Sequence, residues 1–194
     1  MSQFSVYRNI GTVSQGLVCD LPWVIERIRS GASKDLIERI RKVPTKAERD
    51  ELKKGLTSIC FSGVFRKRED RAIQSHSGYM VADFDHVDDI QALRDTLMGD
   101  KYTHMMFLSP SGDGIKAVFS VPPVIVEHKP RFAALMEYFG RDDFDSKNGN
   151  LSRVCYESYD PDLYFNPDSE VFTAMVEPRP VRLSEQRPKV VLKS

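Results

Sequence analysis

Cysteine is scarce in this chain and unpaired. Cys19, Cys60 and Cys155 are its only 3, widely spaced, with no Cys-x-x-Cys and no histidine beside any of them. That excludes a disulfide framework and argues against a zinc site, leaving buried thiols in a reducing cytoplasm as the reading. An excess of one charge is also missing. Lys plus Arg and Asp plus Glu each number 28, so any nucleic-acid surface has to come from local clustering. No apolar run approaches the ~20 residues that cross a bilayer. The opening Met-Ser-Gln-Phe-Ser-Val-Tyr-Arg lacks the charged and apolar regions of a signal peptide. No serine–histidine or cysteine–histidine pair is organised for covalent catalysis, and there is no internal repeat.

What is present suits one soluble domain with a real core: 194 residues, 41% of them hydrophobic and 29% charged. Residues 1–20 hold at most a short strand around Tyr7 and Val18. Leu21, Trp23, Val24, Ile25 and Ile28 recur at helical spacing up to Gly31. Ser33 is placed to cap a second helix, carrying Leu36, Ile37 and Ile40 before Pro44, and Thr45-Lys-Ala-Glu is a capping box for a third. This N-terminal part carries no evident chemistry, and Trp23 reads as a packing anchor. Residues 57–65 read as a strand, followed by a basic loop with Arg66, Lys67, Arg68 and Arg71 and then His76-Ser77-Gly78. That loop is either a solvated surface or a phosphate contact.

From Tyr79 the pattern runs strand, helix, strand, strand, helix, strand. Asp88 and Asp89 are read as caps for the first of these helices; Phe132, Leu135, Met136 and Phe139 face inward from the second. Leu151–Tyr159 reads as the closing strand and Phe172–Val176 as an added edge. The expected architecture is α+β: four antiparallel strands of the split βαβ (RRM-like) type backed by two helices, with a helical N-terminal extension and one additional strand. One domain is expected over residues 1–177, with 1–56 helical and 57–177 the core. Residues 178–194, rich in Pro, Arg, Lys and Ser, read as a linker or tail.

The chemistry centres on Met80-Val-Ala-Asp-Phe-Asp85. Strand alternation sets Asp83 and Asp85 on one face with Phe84 buried behind them, and two adjacent carboxylates call for a cation between them. Ser109-Pro-Ser-Gly-Asp-Gly-Ile-Lys116 joins two strands. Its small residues admit close approach of an anion to backbone N–H groups, while Ser111 donates and Lys116 supplies charge. Phe144-Asp145 offers a third carboxylate, and Arg153, eight residues on, a phosphate clamp. Each stretch alone has an ordinary alternative, as a turn or a solvated charge. Together they are the parts of metal-assisted nucleotidyl transfer.

These residues resemble the archaeo-eukaryotic primase (primase-polymerase) superfamily. Its three motifs are an apolar strand ending in Asp-x-Asp, a Ser-Gly-x-Gly-x-His turn, and an apolar residue plus Asp followed by Arg. With Phe61-Ser-Gly-Val-Phe65, His76-Ser-Gly-Tyr79 and Ser152-Arg-Val-Cys-Tyr-Glu-Ser-Tyr-Asp-Pro161, the chain looks closest to the VirE N-terminal or BT4734-like domain. That domain occurs in Bacteroidetes and their mobile elements, often ahead of a helicase-type domain. The likeness covers roughly residues 57–170. It implies two Mg²⁺ or Mn²⁺ ions on Asp83, Asp85 and Asp145, and a nucleoside triphosphate over Ser111, Gly112, Gly114, Lys116 and Arg153. Lys116 stands where the superfamily has histidine, which puts efficient synthesis in question. Asp160 is a rival third ligand. The resulting expectation is a cytoplasmic enzyme joining nucleotides on a single-stranded DNA template during replication. Arg66, Lys67, Arg68, Arg71 and His76 would contact template or phosphate, and a helicase-type domain or protein is a partner to look for. The alternatives are a non-catalytic nucleic-acid-binding module on the same fold and a metal-dependent nuclease.

Overall fold

The computed structural model describes residues 2–177; the stretch 178–194 expected as a tail lies outside the described residues. The chain is mixed α/β. Strands β1 (Gln3–Tyr7) and β2 (Leu17–Asp20) precede three helices, α1 (Leu21–Ser30), α2 (Lys34–Lys42) and α3 (Lys46–Lys53). Then come β3 (Ser58–Cys60), β4 (Gly63–Phe65), β5 (Ile73–His76) and β6 (Tyr79–Phe84), followed by α4 (Ile90–Gly99), β7 (Thr103–Leu108), β8 (Ile115–Ser120) and α5 (His128–Phe139). Two short strands close the list, β9 (Cys155–Tyr156) and β10 (Tyr164–Phe165).

The pairs are antiparallel throughout and form a sheet β2-β1-β3-β9, a second β10-β7-β8-β6, and the ribbon β4-β5. Alternation along β6 explains the layers. Met80, Ala82 and Phe84 point to one face, where they pack with Met106, Ala117 and Phe119 against Leu93 and Leu97 of α4 and Phe132 and Leu135 of α5. Met105, Phe107 and Val118 emerge on the other face and meet Phe4, Val6 and Ile59 of the N-terminal sheet and Val24 and Ile28 of α1. The second sheet is therefore covered on both sides. Each fully buried Phe or Met contributes roughly 1.5–3 kcal/mol, so both interfaces hold the same strands in place.

Several sequence expectations are corrected here. The N-terminal part is not purely helical, because β1 hydrogen-bonds β2 on one edge and β3 on the other. The strand expected over 57–65 breaks at Phe61–Ser62: Ser77 Oγ donates to Phe61 O and Ser62 Oγ to Leu151 O, diverting the chain into β4. The closing strand shrinks to β9 and pairs with β3, not with the second sheet. In its place β10 takes the outer edge of β7. On the edge of β6 away from β8, the described residues form no strand, and Phe84 makes an isolated bridge with Phe144. Phe172–Val176 forms no strand; Phe172 is buried in the helix-side core and its N–H donates to Ser120 O. Ser33 makes no cap bond to α2. Its hydroxyl donates instead to Glu157.

Glu157 is fully buried and meets Arg27 of α1 at 2.5 and 3.0 Å, while that guanidinium lies 4.7 Å from the Trp23 ring centre. The hydrogen bonds that Arg27 donates to Glu157 raise the Arg27 pKa. Removing one partner of a buried pair leaves an uncompensated charge. We therefore expect Arg27→Met to lower unfolding stability by about 3 kcal/mol in urea titrations, and Glu157→Gln/Arg27→Met to recover part of that loss.

Candidate active site

The end of β6 carries the acids. Asp83 faces Lys116 directly across the β6–β8 pair, on the face turned toward the N-terminal sheet, while Phe84 is fully buried behind it. Asp145 reaches the same place through backbone geometry. Its N–H donates to Asp83 O at 2.8 Å, and Asp85 N–H donates to Asp143 O at 2.9 Å. These two bonds flank the Phe84–Phe144 bridge and lock the segment after α5 onto the strand end. Asp83, Asp85 and Asp145 thus line one cleft of about 310 Å³ with Ser111, Lys116 and Arg153.

Charge in this cleft is densely managed. Lys116 Nζ lies 2.7 Å from Asp83 Oδ1, with both side chains nearly buried. Burial lowers the lysine pKa, but the charges of Asp83 and Asp85 outweigh it and hold the ammonium protonated. Asn148 donates one amide nitrogen to Asp83 Oδ2 at 3.0 Å and to Asp145 Oδ2 at 2.9 Å. Lys147 N–H caps Asp145 Oδ1 at 3.0 Å. Asp85 stays open to solvent on one side. Even so, partial burial raises its pKa; Lys116 opposes this, and Asp83 and Asp145 reinforce it.

Among the described residues no three His, Cys, Asp or Glu side chains are gathered tightly enough to hold a metal ion. The physical reason is visible: Lys116 and Asn148 donate into the space between the carboxylates. The donor set itself fits a hard divalent cation, being all carboxylate oxygen. Asp83 Oδ1 is a buried oxygen with no hydrogen-bond partner among the described residues beyond its ion pair with the Lys116 ammonium.

The Ser109–Lys116 connection is closely fitted. Gly112 adopts φ +80° and its N–H closes the turn on Ser109 O at 3.0 Å. Gly114 lies so close to the end of β6 that a Cβ there would come 2.2 Å from Phe84 O; its role is packing. Ser109 Oγ, buried in the cleft wall, has no hydrogen-bond partner among the described residues. Arg153 is tethered by Asn150 Oδ1 and Lys147 O. It also lines an adjoining groove with Arg68, Ser152 and Tyr156.

The basic loop is not drawn into this cleft. Lys67 and Arg71 flank Glu69. Arg66 is exposed, and Arg68 donates to Ile10 O and lies over Tyr7. His76 stands apart as well, its Nε2 3.0 Å from His128 Nδ1. Asp160 is corrected as a candidate ligand: its carboxylate accepts from Arg94 Nη1 at 2.9 Å, Leu108 N–H at 2.8 Å and Asp162 N–H at 3.0 Å. Sequence reasoning missed Asn148, which only the folded turn brings between two acids. It also missed Lys46, Arg49 and Lys53 of α3, which line the cleft. Their signal was a basic helix face, ordinary in any sequence.

The fold and site define a mixed α/β protein with a carboxylate cleft bordered by cations. The family model for the BT4734-like, N-terminal domain matches residues 51–165, more than half of the chain, and the chain belongs to that family. Among solved structures it is similar to the AEP domain of the cyanophage S-2L primase-polymerase, at 20% identity and a TM-score of 0.39. That alignment covers 59% of this chain and 60% of the other. No curated protein matches.

Two outcomes follow. Lys116→Met leaves the buried Asp83 carboxylate without its counter-charge, and chemical denaturation should register a loss of about 3 kcal/mol. Burial pushes both His76 and His128 down to about 4, so both are neutral in the fold. Stability from this pair is complete above the unfolded value near 6.5 and declines as pH falls toward 4. Urea midpoints measured from pH 7 to pH 4 should drop more steeply in the wild type than in His76→Gln/His128→Gln.

Proposed function

We propose that this chain is a metal-dependent nucleotidyltransferase of the primase-polymerase type, joining nucleotides on a single-stranded DNA template. The observation that carries the reading is the convergence of Asp145, from beyond α5, on Asp83 and Asp85 at the end of β6. The order β6, α4, β7, β8, α5 follows the split βαβ plan, and the family motifs fall on the cleft. These features support a catalytic sheet of the RRM-like kind, its acids on the face opposite α4 and α5.

In this reading Asp83, Asp85 and Asp145 hold Mg²⁺ or Mn²⁺. Such a cation, when bound, lowers the pKa of an attacking hydroxyl and neutralises charge on the departing pyrophosphate. The rest falls to the chain's own groups. Asp85, open to solvent on one side, is the ligand most accessible to an incoming 3′-hydroxyl. Lys116 stays charged and balances the carboxylates when no nucleotide is present. Asn148 fixes the facing oxygens of Asp83 and Asp145. Ser111 and Arg153, which both line the cleft, offer a hydroxyl and a guanidinium to the triphosphate.

The test incubates purified protein with primed and unprimed single-stranded templates, nucleotides and Mn²⁺, beside Asp83→Asn/Asp85→Asn. Product from the wild type, reduced about 100-fold or more in the variant, is expected. Equal product from both removes the assignment. Template binding without product favours a non-catalytic module, and shortening of labelled DNA without nucleotides favours a nuclease.

A further inference from the structure

Helix α3 buries none of its own residues and contributes to the lining of the cleft. Its Lys46, Arg49 and Lys53 line the same space as Asp83, Asp85 and Asp145. Of the cleft's cations, Lys53 is paired with Asp50 at 3.5 Å and Lys116 with Asp83 at 2.7 Å. Lys46 and Arg49 form no ion pair among the described residues, although their neighbour Lys54 is paired with Glu51. Two unneutralised cations one helical turn apart therefore share the cleft with a group of acids.

This lining is also held in place. Arg41 of α2 donates to Ser109 O at 3.3 Å and Tyr159 O at 2.9 Å, and its side chain lies against Gly112. This fixes the α2–α3 unit to the turn that forms the cleft floor. Ser109 Oγ, the buried hydroxyl with no partner, sits in that floor. A polyanion approaching the three carboxylates meets repulsion unless cations in the same cleft offset it.

We propose that Lys46 and Arg49 of α3 form a phosphate-binding wall, engaging the phosphate oxyanions of a nucleic-acid strand or of a nucleoside triphosphate as it enters the carboxylate cleft. The proposal extends the nucleotidyltransferase reading by naming what grips the substrate. Lys46 and Arg49 precede residue 51, so they lie outside the 51–165 stretch that the family model matches. Lysine supplies a point charge and arginine a two-pronged contact to phosphate.

The experiment measures fluorescence anisotropy of a labelled single-stranded oligonucleotide, and separately of a fluorescent nucleoside triphosphate, over a series of salt concentrations. The full chain is compared with Lys46→Ala/Arg49→Ala and with Lys54→Ala, a paired residue capping the end of α3 and absent from the cleft lining; circular dichroism verifies folding. For the strand, the double variant should bind about 10-fold more weakly, with a salt slope shallower by roughly 1.4 for two lost contacts. Weakening confined to the oligonucleotide assigns the wall to the strand, and weakening confined to the triphosphate assigns it to the nucleotide. Unchanged affinity for both, an equal loss in Lys54→Ala, or no binding by the wild type overturns the proposal. Phosphate binding that depends on Lys46 and Arg49 but survives in Asp83→Asn/Asp85→Asn, in a protein that forms no product, sinks the catalytic reading alone.

Discussion

One charge pair inside a covered sheet conditions much of this molecule. Asp83 and Lys116 are cross-strand neighbours on β6 and β8, on a sheet with apolar layers against both faces. A carboxylate there needs compensation, because burying an isolated charge costs far more than a fold of this size can offset. Lys116 provides the charge and Asn148 the remaining hydrogen bond. Asn148 reaches Asp83 only because residues 143–145 are hydrogen-bonded to the end of β6. The bond network that neutralises the strand end is thus the same one that assembles the cleft.

The arrangement gives Lys116 a defined electrostatic place. A histidine at this position would be neutral or charged according to its surroundings; a lysine between two acids stays charged. The cleft carries its own counter-ion. Under the proposed function a divalent cation entering it would compete with an ammonium already seated. Asp85, the least restrained of the three, remains the acid with freedom to change partners.

Much of the helical and strand content was legible from local chemistry. The Thr45 cap of α3 and the Asp89 cap of α4 both form. Strand alternation placed Asp83 away from Phe84 as expected. What stayed hidden depends on partners distant in sequence. Nothing near Gln3–Tyr7 reveals that it will be an inner strand between β2 and β3, and nothing near Ser33 reveals that Glu157 will claim its hydroxyl. His76 read as a candidate template or phosphate contact; its contact with His128, 52 residues further along the chain, was not in view. The cleft itself was legible as three motifs in order; its α3 lining was not, because a solvated helix and a binding face share one composition.

The boundary at residue 51 marks where recognisable likeness begins, and it does not coincide with a unit able to stand alone. Strand β3 lies between β1 and β9 in its sheet, so a piece starting at 51 would lose its pairing partner on one side. It would also lose α1 and Arg27, leaving Glu157 uncapped, and Arg41, which braces Ser109. The first fifty residues act as a keel: they carry none of the motifs, yet the machinery above them has nothing to rest on once they are cut away.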